Sequence, residues 1–250
     1  MPKFFVRDNQ IKDETITILG EDVKHIANVL RMKPEEELQI CNIDNAENFI
    51  AQIQNISKEE IKCCIKEKIQ SNVESKIDIH IFQGLPKADK MELIIQKATE
   101  LGVKEITPIQ MERCIVKIDG KDGMKKVQRW QKIAEVAAKQ SGRDIIPTIN
   151  EIKNIKNIYN LCENYDIVIV AYENEKNTTL KQVLKDVKTT NKFPKVAVVI
   201  GPEGGIDMAE IQNLEQNGAK IVTLGNRILR TETVALVITG IIMYEFEGEA

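Results

Sequence analysis

Arg227 and Arg230 bracket the apolar pair Ile228-Leu229 in the segment GNRILRTETVALVITG (225–240), and Thr231-Glu232-Thr233 then opens a run that is apolar almost all round. Gly225 ends the preceding apolar stretch, Ile221 to Leu224. Charge and backbone donors thus stand at the mouth of a buried element, an arrangement that ligand sites use and cores do not require. A second glycine-bearing loop, Gly201-Pro202-Glu203-Gly204-Gly205, follows the apolar run Val196 to Ile200. Glycines let backbone amides approach a ligand closely, and two such loops near each other in sequence read as one site. By itself GPEGG also fits a tight strand-to-helix turn. Asp207 and Glu210 read as helix-capping residues, and Thr231 as an N-cap.

Several chemistries lack a carrier. GPEGG is not followed by Gly-Lys-Ser/Thr, so it is not a Walker A loop, and no Gly-x-Gly-x-x-Gly follows a strand. No Gly-x-Ser-x-Gly elbow offers a nucleophile. The five cysteines lack Cys-x-x-Cys spacing and only His25 and His80 could assist them, so no metal site is expected. Free thiols in a reducing cytoplasm are the expectation. No N-terminal secretory pattern is present, and the apolar stretch from Val234 to Phe246 falls short of the about 20 residues that cross a bilayer.

The net charge of −3 argues against a chain-wide polyelectrolyte partner but leaves room for a local basic face. Lys and Arg outnumber Asp and Glu between Arg113 and Asp144. That stretch reads either as a nucleic-acid contact or as a solvated helix face.

The elements that position these residues fall into two groups along the 250-residue chain. Residues 1–72 predict short strands at Phe4 to Val6, Thr15 to Leu19, Leu38 to Ile43, Asn48 to Ile56 and Ile61 to Ile69. One short helix, Asp22 to Met32, ends before Pro34. This is the pattern of a small β-barrel module. Residues 73–250 alternate strand and helix. Strands are expected at Ile77 to Phe82, Val103 to Ile109, Asp166 to Ala171, Val196 to Ile200 and Ile221 to Leu224. Helices are expected at Ala88 to Leu101, Lys125 to Ser141 and from Asp207 to about Gly218. Continuous apolar strands alternating with helices imply an α/β fold with a parallel sheet covered on both faces. Ligands bind beyond the carboxyl ends of such strands, where the loops at Tyr172, Gly201 and Gly225 stand.

Taken in order, KFFV, HIANVLRMKPEEEL, QGLPKADKMELIIQKATELGVKEITPI, RWQKIAEVAAKQSGRDIIPTI, VVIGPEGG and LGNRILRTET resemble the bacterial small-subunit ribosomal RNA uracil-N3-methyltransferases, of the SPOUT class. The resemblance covers nearly the whole chain; QSGR, IGPEGG and LGNRILRTET are its most specific parts. It implies a PUA-like RNA-binding β-barrel over 1–72. Over 73–250 it implies a SPOUT methyltransferase domain with a C-terminal trefoil knot. It further implies S-adenosylmethionine as cofactor, ribosomal RNA or the small ribosomal subunit as substrate, a homodimer and a cytoplasmic location.

For the site, the resemblance implies Arg230 as the cation that stabilises a uracil anion, with Glu232 and Glu203 as bases or cofactor-orienting groups. Ala171, Tyr172, Gly201, Gly204, Leu224, Gly225, Ile228, Leu229 and Thr233 would hold the cofactor. Arg7, Arg31, Arg113, Lys125, Lys126, Arg129 and Arg143 would contact RNA. The chain departs from the pattern at Val234, where the family has alanine, which reads as a repacked core position. It departs also at Glu35-Glu36, where a Gly-Asp turn is expected, and around Asn42 to Asn45, where glycines are expected. Two rival readings stay open: a related enzyme acting on transfer RNA or another base, and a non-catalytic RNA-binding or assembly factor that retains a cofactor pocket.

Overall fold

Alternating burial builds the first sheet. Ile16 and Ile18, Leu38 and Ile40, Phe49, Ala51 and Ile53, and Ile61 and Cys63 all point to one core while the residues between them point to the opposite face. The computed structural model describes residues 1–118, 120–191 and 193–247. These divide into two compact units, Met1–Glu74 with Ala138–Ile146, and Ser75–Ala137 with 147–250.

The first unit contains β1 (Lys3–Val6), β2 (Ile11–Lys12), β3 (Thr15–Leu19), α1 (Glu21–Lys24), β4 (Glu37–Asn42), β5 (Glu47–Ile56) and β6 (Glu60–Ile69). They form a six-stranded sheet ordered β1-β4-β5-β6-β3-β2. Only β1 and β4 pair in parallel. Register shifts at Ile50/Ala51 and Ile53/Asn55 curl β5 against β6. The result is a curled half-barrel with β1 and β2 at its two ends, the form the expected β-barrel module takes here.

The expected helix from Asp22 to Met32 is shorter and irregular. After α1 the chain widens into a π-turn over His25–Val29, with Leu30 N–H on the His25 carbonyl, and Arg31 takes φ +54°. Val23 and Ile26 are the buried anchors of this segment, with Met32 packed partly buried against the same core, a small face for three regular turns. Glu35 occupies a turn at φ +76°, a conformation costly for a side-chain-bearing residue, at the position where the resemblance expects glycine.

The segment Ala138–Ile146 is clamped into this unit. Glu74 takes the Arg143 guanidinium at 2.7 Å and the N–H groups of Asp144 and Ile145, while Lys3 pairs with Asp144 and donates to the Gly142 carbonyl. Arg143 is only 4% exposed. This corrects the expectation that Arg143 contacts RNA: its buried planar fork is engaged by the partly buried Glu74 carboxylate, and an unpaired charge there would be costly.

The second unit runs β7 (Asp78–Gly84), α2 (Lys90–Glu100), β8 (Glu105–Gln110), α3 (Gly120–Ser141, its last turn in the first unit), β9 (Thr148–Ile149), β10 (Lys153–Asn154), β11 (Ile167–Ala171), α4 (Leu180–Thr190), β12 (Lys195–Ile200), α5 (Met208–Gln216), β13 (Lys220–Val222) and α6 (Thr231–Glu247). The strands pair in parallel in the order β10-β8-β7-β12-β11-β13, with β9 beside β8. Every residue of β11 is buried, as a strand covered on both faces requires. Asp207 and Glu210 form the expected capping box on α5. α4 was not anticipated, although Thr179 and Gln182 form a capping box there and Leu180, Val183 and Leu184 bury one face. No helix is long and apolar enough to cross a membrane.

One buried polar cluster in this unit has a measurable consequence. His80 is 5% exposed, with Nδ1 2.5 Å from Tyr165 Oη and Nε2 2.7 Å from Thr107 Oγ1. Burial, and then the charges of Lys195 and Lys153, push its pKa down to about 3. The unfolded chain therefore binds this proton at higher pH than the folded one does. Stability from this group is intact above about pH 6.5 and falls as pH drops toward 3, by about 1.4 kcal/mol per pH unit. Denaturant titrations at pH 7 and 4.5 should show a loss larger by about 3 kcal/mol in the wild type than in His80→Asn. Equal losses would mean that His80 is protonated in the folded protein.

Candidate active site

Where β11, β12 and β13 end, the sheet stops covering its own carboxyl edge and three loops converge: 172–179, 201–207 and 223–230. They enclose a cleft of about 360 Å³, closed on one side by Lys90 from the start of α2 and by Val234 from α6. Its wall is mainly glycine backbone and aliphatic side chain, the surface an adenosine needs. Ala171, Tyr172, Gly201, Leu224, Gly225, Ile228 and Leu229 line it, as the resemblance implied, together with Glu203 and Arg230. Val234 stands on the cleft wall, so its extra bulk faces the ligand space and is not a repacked core position.

Three predicted residues are placed differently. Gly204 turns away from the cleft: a Cβ there would meet the Arg113 carbonyl oxygen at 3.0 Å and Arg113 Cβ at 3.1 Å. The glycine that faces the cleft is Gly205, at φ +72°, over which the Glu173 carboxylate lies. Thr233 is half-buried on the first turn of α6 and does not line the cleft. Glu232 is not on the cleft lining either; its Oε2 lies 3.2 Å from Lys90 Nζ.

Thr231 has a role that sequence reading missed. It does not cap α6. Its hydroxyl donates to the Gly201 carbonyl at 2.6 Å and accepts from Gln83 Nε2 at 2.9 Å. Gln83 is fully buried at the end of β7 and also donates to the Gly84 carbonyl. The relay joins β7, the 201–207 loop and the start of α6, so the cleft is held by long-range bonds. The donor to the α6 end is in fact Val234 N–H on the Arg230 carbonyl, which makes Arg230 the entry residue of the helix.

Charge at the cleft is unevenly paired. Lys90 Nζ lies 3.1 Å from Glu203, and the Lys87 N–H donates to the same carboxylate. Burial alone would raise the Glu203 carboxyl, but the N–H groups of its own backbone and of Lys87, with the Lys90 ammonium, hold it below the ordinary range. Such a carboxylate is a poor proton acceptor. Arg230 is exposed and has no ion-pair partner among the described residues.

Of the surface residues proposed for RNA, Lys125 and Lys126 are exposed on α3, and Arg31 is exposed beyond the π-turn. Arg7 pairs with Asp44, Arg129 with Glu92, and Arg113 with Asp207, each partly exposed.

Comparison with known proteins places this architecture. Residues 72–243 match the family described as an RNA methyltransferase domain, and residues 18–66 match the RNA methyltransferase PUA domain. The chain is 37% identical to ribosomal RNA small subunit methyltransferase E of Bacillus subtilis, over 99% of this chain and 98% of that protein. It is 34% identical to the protein of the same name from Aquifex aeolicus, over 91% and 94%. A methyltransferase from Legionella pneumophila, solved with bound SAM, superposes with a TM-score of 0.84 at 30% identity, covering 96% of each chain. A ribosomal RNA small subunit methyltransferase E from Neisseria gonorrhoeae, bound to S-adenosyl methionine, superposes at 0.85 with 28% identity over 97% of each chain. The PUA match on the curled sheet, the methyltransferase match on the parallel sheet and the cleft at its carboxyl edge agree: this chain belongs to the RNA methyltransferase family.

Proposed function

We propose that the protein uses S-adenosylmethionine to methylate N3 of a uridine in small-subunit ribosomal RNA. The observation that carries this reading is Arg230, an arginine with no ion-pair partner among the described residues, on the lining of a cleft built from three loops. Bound there, the cofactor supplies a methyl group on a sulfonium that leaves without metal assistance. The protein's task is alignment and control of the uracil N3 proton. Gly201, Gly205 and Gly225 offer backbone close to the cleft, and Leu224, Ile228 and Leu229 offer apolar contact to a purine. With Glu203 held ionised below its ordinary range, the arginine route is favoured: the N3 proton passes to solvent and Arg230 stabilises the uracil anion that is left. Methyl transfer to small-subunit RNA, followed by mapping of the modified atom, tests the proposal. Modification only of transfer RNA, or at another atom, would replace the substrate; cofactor binding without any transfer would make the protein an assembly factor.

The same reading takes residues 1–72 as the RNA-binding module, 73–250 as the methyltransferase domain with a C-terminal knot, and the cytoplasm as the place of action. Lys125 and Lys126 are offered as phosphate contacts, alongside Arg7, Arg31, Arg113 and Arg129. Because the chain is acidic overall, a few placed cations must supply that contact, and affinity should fall with salt along a modest slope. Replacing Lys125 and Lys126 by alanine should weaken RNA binding several-fold and leave cofactor binding intact, as filter binding and calorimetry would show. Unchanged RNA affinity would make this helix face plain solvated surface.

A homodimer belongs to the proposal as well. α6 buries Ala235, Ile238, Ile242, Met243 and Phe246, yet Ile241 and Tyr244 are exposed and Val237 is half-buried. Positions 237, 241 and 244 make one helical stripe that starts beside Val234 at the cleft, and Ile228 is 84% exposed next to it. A second copy would cover this stripe. Light scattering at low micromolar concentration should give twice the chain mass, and Tyr244→Lys should shift it toward the monomer. An active monomer would remove the shared interface.

A further inference from the structure

Helix α2 brings to the cleft a cation whose partners lie on two other elements. Lys90 is the first residue of α2, and its Nζ lies 3.1 Å from Glu203 Oε1 and 3.2 Å from Glu232 Oε2. Glu203 belongs to the loop after β12 and Glu232 to the first turn of α6, so a single ammonium joins three elements distant in sequence. The two carboxylate side chains are 26% and 14% exposed, which limits solvent screening. Glu232 Oε2 is buried without an aligned hydrogen bond, so the Lys90 charge is its compensation among the described residues. The remaining charged side chains on the cleft wall are Glu173, Arg227 and Arg230, none of them within ion-pair reach of this cluster among the described residues. From the α2 side the approach is made by Lys87, whose backbone N–H reaches Glu203.

We propose that Lys90 is a positioning residue of the methyl-transfer site: through Glu203 and Glu232 it binds the 201–207 loop to the start of α6, and so sets both the shape of the cofactor cleft and the fixed negative charge beside it. Two carboxylates on one ammonium leave one net negative charge, which suits a cationic sulfonium ligand. Remove the ammonium and two like charges face one another, which raises the affinity of the pair for a proton. The inference rests on the cofactor reading of the cleft.

Calorimetry of the full chain with S-adenosylmethionine, between pH 5.5 and 8 in buffers of different ionisation heat, tests both. The wild type should bind with an affinity that is flat in pH and exchange no protons at this cluster. Lys90→Met should bind at least about 10-fold more weakly at pH 6 and release a proton on binding, because the cation expels the proton shared by the carboxylates. Lys90→Arg should stay close to the wild type. The double variant Lys90→Met/Glu232→Gln should lose the proton release, since only one carboxylate remains, and should recover affinity only in part, because the loop is still not tied to α6; thermal melts confirm that each variant is folded. A Lys90→Met protein with wild-type affinity and pH profile would overturn the inference while leaving the cofactor reading intact. So would a double variant that still releases a proton on binding, since that proton would not come from this carboxylate pair. Failure of the wild type to bind S-adenosylmethionine would overturn the cofactor reading and the inference with it.

Discussion

Arg230→Ala should cut methyl transfer by about 10²-fold or more while barely moving the melting temperature. The two halves of this expectation have separate causes. Arg230 is exposed and ion-paired to nothing among the described residues, so truncating it breaks no buried contact and should cost little stability. Its side chain lines the cleft at the entry to α6, where a developing negative charge on uracil would be stabilised by a planar, bidentate donor. Arg230→Lys should recover little, because a point charge does not reproduce that fork. The pH profile is the sharper measurement. Wild-type turnover should rise as the N3 proton becomes easier to remove, and the alanine variant should need a higher pH to reach its own plateau. A variant with the wild-type rate and profile would return the proton chemistry to Glu203 or Glu232.

Gly201→Val should abolish cofactor binding, lowering affinity by more than about 10²-fold, and should also destabilise the fold. A Cβ at Gly201 would stand 2.8 Å from Ile206 Cγ1, 3.1 Å from the Gly205 carbonyl carbon and 3.2 Å from the Ile206 nitrogen. Two of these neighbours are backbone, so the loop must move. That movement pulls the Gly201 carbonyl from Thr231 and leaves buried polar groups unpaired, at a cost of about 1–3 kcal/mol each. Gly204→Val, by contrast, presses on the Arg113 backbone outside the cleft, so its loss of affinity should be the smaller of the two. Calorimetry with S-adenosylmethionine beside thermal melts separates the effects. A folded Gly201→Val protein with wild-type affinity would move the cofactor out of this cleft.

The sequence by itself determined what depends on neighbours along the chain. Period-two alternation at Ile16/Ile18 and Leu38/Ile40 specifies strands buried on one face, and the continuous runs IVIVA and VAVVI specify strands buried on both. The Asp207–Glu210 capping box is likewise a local hydrogen-bond pattern, legible from residue spacing. So is the one at Thr179 and Gln182. The motifs GPEGG and GNRILRTET marked the loops that line the cleft, where glycines stand at strand ends and charge precedes an apolar helix.

Only the tertiary structure decided which atoms of those loops face the cleft and which charges are free to act. Gly204 and Gly205 are adjacent and identical in type, yet one abuts Arg113 and the other faces the ligand space, a difference set by backbone direction. Arg143 and Arg230 look alike in sequence, but Glu74 encloses the first and nothing described pairs with the second. Lys90, Glu203 and Glu232 lie in three separate segments and become one cluster only when β12, α2 and α6 meet. Side-chain pairing between segments so far apart leaves no periodicity or spacing in the chain, because it depends on which ends of the sheet the intervening elements bring together.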